Sequence, residues 1–327
     1  MMNRLIKPVV YDYSARRRAI DNLCAEYELI KRTTVGRSCG GRDITALKIG
    51  SAAEYSLIAA AFHGSEHITS AVLLMFIEEL ADAVKNGGYI AGLNAARALN
   101  GRGVIFVPCV NPDGCEISIS GINACGELGD TVRRLCLGDF KHWNANLRGV
   151  DINHNFDADW EKLRNKEIKA GIFGPSPTRF GGYRPESEPE TLALTELCRT
   201  ANIRQAAALH SQGEVIYWSY GNSEPPRAKK MAEIMSTSSG YALDVPVGIA
   251  DGGGYGAAAL APKCDDGGDV VLFAHGENVF FALHHVHKAD RHTDDKRRAQ
   301  TVFDLLGNGE QRGRCVADRQ NRIGVFF

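Results

Sequence analysis

The chain has 327 residues, 44% of them hydrophobic, and a formal net charge of -1 at pH 7. This suits one large α/β domain, or one domain with a small appendage, and the balanced charge gives no footprint for nucleic acid or an anionic membrane as an obligatory partner. Nine scattered cysteines without a CxxC pair argue against a disulfide framework or zinc knuckle and for reduced thiols.

The N-terminal MMNRLIKPVVYDYSARRR has no long apolar run before its charges, so no signal peptide is expected and a cytoplasmic location is. No stretch approaches the roughly 18 apolar residues of a membrane span. Ile20, Leu23, Tyr27, Leu29 and Ile30 recur at helical spacing and predict a first helix within residues 11–31. A hairpin follows, turning at Gly40-Gly41 into a strand from Ile44 to Ile49. The short apolar run Tyr55–Phe62 predicts a buried central strand, Thr69–Val84 a helix, and Val104–Val110 another buried strand, stopped by Asn111-Pro112-Asp113-Gly114.

Residues 115–185 are rich in Gly and Asn and poor in periodic segments, which predicts a long functional loop region. Ser187–Thr200 reads as a helix, with Ser187 as N-cap and Glu190 completing a capping box. Strands are expected at Ala206–His210 and Val215–Trp218, and a helix at Pro226–Ser236. The alternation gives an α/β fold: a central mixed, mostly parallel sheet with helices on both faces. Residues 1–255 are expected to form one domain, with 256–327 a divergent end of it. No internal repeat is visible. Half of the ten histidines follow residue 270. The tract of His284, His285, His287 and His292 reads as composition rather than a metal site.

His63 and Glu66 stand three apart directly after a buried strand, so both can face one cation at a strand-to-helix corner. A third ligand should close a neighbouring strand, and His210 in QAAALHSQGEVIYW is so placed. His67 is turned away from His63 by its adjacent position. Asp151, in RGVDIN, suits either a strand-end cap or a carboxylate behind a metal-bound imidazole.

In this order HGSE, NPDG, RGVDIN and HSQG resemble the zinc metallocarboxypeptidase family, over about residues 10–255. WNANLRGVDIN, FGGYRPESEPET and ALHSQGEVIYW look like its bacterial γ-D-glutamyl-diamino acid peptidase branch, which cuts stem peptides of the cell wall. The resemblance implies one Zn2+ held by His63, Glu66 and His210, with Asp151 behind His63. It implies substrate contacts from Asn153 and Tyr255, and a substrate or oxyanion role for Arg148. The implied chemistry is metal-assisted hydrolysis of a peptide bond, with a glutamate moving the water proton to the leaving amine.

Two positions depart from the family pattern. His154 stands where an arginine usually forks onto a terminal carboxylate, which favours the peptidoglycan-peptide branch. VVLFAHGENVF places Leu272 where the catalytic glutamate belongs and leaves Glu277 as the acid of that segment, hence the candidate base. A shifted reading frame or a diverged end after Tyr255 accounts for this loss of pattern. The competing expectations are a zinc peptidase, a catalytically silent zinc- and peptide-binding member, and an amidohydrolase or deacylase on the same scaffold.

Overall fold

The computed structural model describes residues 4–211, 214–219 and 228–244, and the backbone of strand segments 269–270, 272–275 and 323–326. Helix α1 (Tyr13–Glu26) starts at Asp12, whose carboxylate accepts the Ala15 N–H. It leads into an antiparallel pair, β1 (Lys31–Arg37) and β2 (Asp43–Gly50). Strand β3 (Tyr55–Ala60) and the long helix α2 (Ile68–Lys85) follow. A small hairpin of β4 (Tyr89–Ile90) and β5 (Leu93–Asn94) and a single-turn α3 (Ala95–Ala98) connect to β6 (Gly103–Val107).

The region 115–185, expected as loops, is instead partly helical. It holds α4 (Pro112–Ser120), α5 (Gly129–Leu135) and α6 (Trp160–Lys169), joined by 3-10 turns. Their signals are weak for physical reasons. In α6 only Leu163 and Glu167 are buried, so no apolar stripe marks it. Helix α4 is capped by Asn111 within the Asn-Pro-Asp-Gly segment that reads as a turn.

Then come α7 (Pro189–Thr200), β7 (Ile203–Ser211), β8 (Val215–Tyr217), α8 (Ala228–Ser239) and β9 (Ala242–Asp244). Helix α7 departs from its expected cap. Its N-cap is Glu188, Ser187 donates to the Glu188 carboxylate, and Glu190 accepts the distant Cys39 N–H instead of closing a box.

The strands form a mixed sheet in the order β1-β2-β6-β3-β7-β11-β8-β9, where β11 is Leu272–His275. The centre β6-β3-β7-β11 is parallel, and β1 and β2 add antiparallel to one side. Segments β10 (Asp269–Val270) and β12 (Ile323–Phe326) also pair with β7. Alternation along the strands sorts the core into two layers. Leu47, Ala60, Phe106 and Leu209 pack with α1 and α2, while Ala46, Ala59, Val107 and Ala208 pack with α7. With both faces covered, the central strands read as nearly continuous apolar runs. Among the described residues no helix is long and apolar enough to cross a membrane.

Candidate metal centre

The corner after β3 is shaped by its neighbours. Ala61 adopts φ 53, which turns the chain out of the strand, and its N–H is taken by Thr69 Oγ1. A 3-10 turn over Gly64–Glu66 then leads to α2. Gly64 must be glycine: a Cβ there would lie 2.3 Å from the Gly114 carbonyl oxygen and 2.5 Å from that of Trp143. Asn111 ties the same corner down, its side-chain amide donating to the carbonyls of Phe62, Asn144 and Ala145. HGSE and NPDG are thus two halves of one packed joint.

At this joint the structure brings His63, Glu66 and His210 together, all buried. His210 comes from β7, beside β3. His63 Nδ1 lies 3.1 Å from Glu66 Oε1 and 3.2 Å from His210 Nδ1, and His210 Nδ1 lies 2.9 Å from Glu66 Oε2. Phe62 stacks on the His210 ring at 5.2 Å between centroids. The other face of His63 meets a carboxylate, with Nε2 3.2 Å from Asp151 Oδ1. Asp151 is fixed in turn by the backbone N–H groups of Asn153 and Arg179.

The electrostatics call for positive charge. With both imidazoles neutral, the carboxylates of Glu66 and Asp151 leave this buried cluster two negative charges. Burial opposes charging His63, but Glu66 and Asp151 outweigh it and hold the imidazole well above its ordinary 6.5. His210 moves the opposite way, lowered first by burial and further by the adjacent His63. Burial would raise Glu66, yet the two imidazoles bring it down to about 2. Asp151 is likewise held below the carboxylate range: burial opposes this, and His154 and His63 overcome it. Glu66 Oε2 is buried without an aligned hydrogen bond, as a ligand of a divalent cation would be, and His63 Nε2 has no nearer partner than Asp151 Oδ1 at 3.2 Å.

A family model described as zinc carboxypeptidase matches residues 17–260. The chain belongs to the zinc carboxypeptidase family. Over 235 residues it is 34% identical to gamma-D-glutamyl-L-diamino acid endopeptidase 1 of Lysinibacillus sphaericus, covering 71% of this chain and 58% of that protein. It is 32% identical over 235 residues to the uncharacterized protein YqgT of Bacillus subtilis (strain 168), covering 71% and 61%. The chain thus spans about three-fifths of the length of these relatives. The crystal structure of carboxypeptidase A from Helicoverpa armigera superposes with TM-score 0.61 at 17% identity, covering 91% of this chain and 73% of that one. That likeness is one of fold.

Around the three donors of this zinc carboxypeptidase scaffold the other expected residues are distributed unevenly. Asn153 is buried beside Asp151, to which its backbone N–H donates. His154 is also buried, with Nδ1 2.8 Å from Glu167 Oε1. Glu167 further binds Arg164 and the Gly181 N–H, so one carboxylate joins α6 to the 150s and 180s segments. Arg148 is half exposed, and its guanidinium lies 3.5 Å from Glu188. Tyr255 and Glu277 lie outside the described residues, as does the expected His-rich tract.

Glu167, Glu188 and Asn146 were not singled out in the sequence, and Glu190 was expected only in a capping box. Asn146 Nδ2 donates to both Glu188 and Glu190, while its side-chain Oδ1 accepts the N–H groups of Arg148 and Val150. The sequence signal for them is weak, because isolated acids and amides look like surface residues until their partners are known.

Proposed function

We propose that this chain is a zinc-dependent peptidase that holds one Zn2+ through His63, Glu66 and His210. What carries the reading is the convergence of three buried side chains whose nearest ligand atoms, pair by pair, lie 2.9–3.2 Å apart, with Asp151 behind His63. Ligands about 2.0–2.1 Å from a tetrahedral zinc sit about 3.3 Å apart, so the cradle suits the ion with little movement. Zinc bound there supplies a Lewis acid for a scissile carbonyl and acidifies water. Asp151 keeps the proton of His63 on Nε2, so that Nδ1 presents its lone pair to the cation. Arg148 and Asn153 contact the substrate.

The substrate class is a peptide of cell-wall origin, cut at a γ-D-glutamyl bond to a diamino acid. Its support is the name of the Lysinibacillus relative and the setting of His154. An imidazole paired with Glu167 cannot make the two-pronged grip that arginine gives a terminal carboxylate. A second reading, a zinc- and peptide-binding member with little turnover, is favoured by β11. That strand pairs with β7, Ala274 opposite His210, and carries Leu272 where the base is expected.

Metal analysis coupled to an assay on a γ-D-Glu–diaminopimelate peptide, with and without chelator, tests both. Chelator-sensitive cleavage that is lost in Glu277→Gln supports the peptidase with Glu277 as base. One zinc per chain with no cleavage supports the silent member. Protein without stoichiometric zinc removes the ground for either.

A further inference from the structure

Beneath the His63 corner two cysteines touch. Cys109 follows β6 and Cys115 lies in the first turn of α4, with their sulfurs 3.7 Å apart. Both are buried, forming a small cluster with Ala61. The chain between them is the joint already described. The Val110 and Asn111 N–H groups donate to the carbonyls of Ala60 and Ala61, and the Asn111 side chain holds Phe62.

A second observation bears on these thiols. Arg16 of α1 is 4% exposed; its Nη1 donates to the Tyr11 carbonyl, while Nη2 is buried with no hydrogen-bond partner. Both cysteines and Glu116 are among the groups whose charge acts on it. A buried guanidinium with an unused N–H favours an anion nearby. Burial by itself would raise the Cys109 thiol, but the Cys115 hydrogen bond and Arg16 outweigh it and lower Cys109 below the ordinary thiol value. Cys115 is raised, foremost by that same hydrogen bond and then by burial, as the member that keeps the shared proton. The pair holds a nucleophilic sulfur and a resolving sulfur in contact.

We propose that Cys109 and Cys115 form a redox-active dithiol, which hydrogen peroxide converts to an intramolecular disulfide. The Cys109 thiolate attacks one peroxide oxygen and breaks the O–O bond, giving a sulfenic acid and hydroxide. The Cys115 sulfur then attacks the Cys109 sulfur and displaces its oxygen. In total two thiols lose two protons and two electrons, and the peroxide is reduced to two waters. The sulfurs close from 3.7 Å to about 2.05 Å. The bridge ties the end of β6 to α4 across Asn111–Gly114 and so braces the segment on which Gly64 and His63 rest. This does not depend on the peptidase reading.

The test uses the full chain, reduced, exposed to hydrogen peroxide, then alkylated while unfolding. Proteolysis on the N-terminal side of Asp113 separates the two cysteines. The expected result is a pair of fragments held together through Cys109 and Cys115 and released by dithiothreitol. Cys109→Ser and Cys115→Ser each abolish the linked species, and in Cys115→Ser a dimedone probe labels Cys109. The proposal is overturned if both sulfurs remain alkylatable at peroxide doses that oxidise Cys24, or if Cys109 is recovered bridged to a different cysteine.

Discussion

His63 stands between two carboxylates, with Nε2 3.2 Å from Asp151 and Nδ1 3.1 Å from Glu66. Asp151 lies behind the ring and Glu66 on its other side. That division of labour between its two nitrogens leads to the first expectation. Asp151→Asn removes the charge that fixes the tautomer and strengthens the imidazole as a ligand. Zinc affinity should fall about 10–100-fold, measured by competition with a chromophoric chelator. An unchanged affinity would mean that Asp151 serves only as a cap for the turn that follows it.

Removing a donor should have a larger effect. His210→Ala and Glu66→Gln each leave two protein donors where a catalytic zinc site uses three. Purified variants should carry far less than one zinc per chain while their circular dichroism stays that of the parent. Full zinc occupancy in either variant would relocate the site.

The joint beneath the metal has no room to spare. Gly64→Ala drives a Cβ to within 2.3 Å of a backbone oxygen, where no flexible side chain can give way. Overpacking of this kind costs about 1–3 kcal/mol or more. Urea unfolding should show at least that loss, with weakened zinc binding. Wild-type stability would show that the two segments are not held together as described.

Glu167 serves His154, Arg164 and the Gly181 N–H at once, and all of these lie at or near full burial. Glu167→Ala takes the buried carboxylate away from His154 and the Gly181 N–H, while Arg164 keeps the carbonyls of Ile172 and Phe173, and breaking a buried pair in this way costs about 3–5 kcal/mol. Thermal unfolding should fall accordingly, and Glu167→Gln should recover part of the loss. A Glu167→Ala variant that melts with the wild type would show the network to be dispensable.

Glu190 gives a prediction for pH. Burial raises it from 4.5 to about 7, against the opposing hydrogen bonds from Cys39 and Asn146. The folded chain therefore keeps a proton that the unfolded chain releases between those values. Stability associated with this group is full below 4.5 and declines as pH rises through about 7. Relative to wild type, Glu190→Gln should be at its least stable near the lower bound and should gain on it up to the higher, by at most about 3 kcal/mol. Parallel stability curves from chemical denaturation would contradict the assignment.

Much of this was legible in the residues. The apolar runs at 55–62 and 104–110 became β3 and β6, because a sheet covered on both faces needs uniformly apolar central strands. The spacing of His63 and Glu66 after such a run already suggested a corner with two donors, and HSQG supplied a third candidate. The helices of 112–169 were hidden, because they are short and bury too few large apolar side chains to leave a period.

Local pattern determined which segments become strands, which donors exist and that a zinc-type corner is possible. Tertiary structure alone decided that His210 meets His63 across 147 residues of chain. It also decided that Glu167 takes His154, that Glu190 leaves its expected capping role for Cys39, and that Cys109 touches Cys115. The reason is physical. Periodicity reports on burial along one element, whereas a buried polar side chain is defined by partners that the fold supplies from elsewhere.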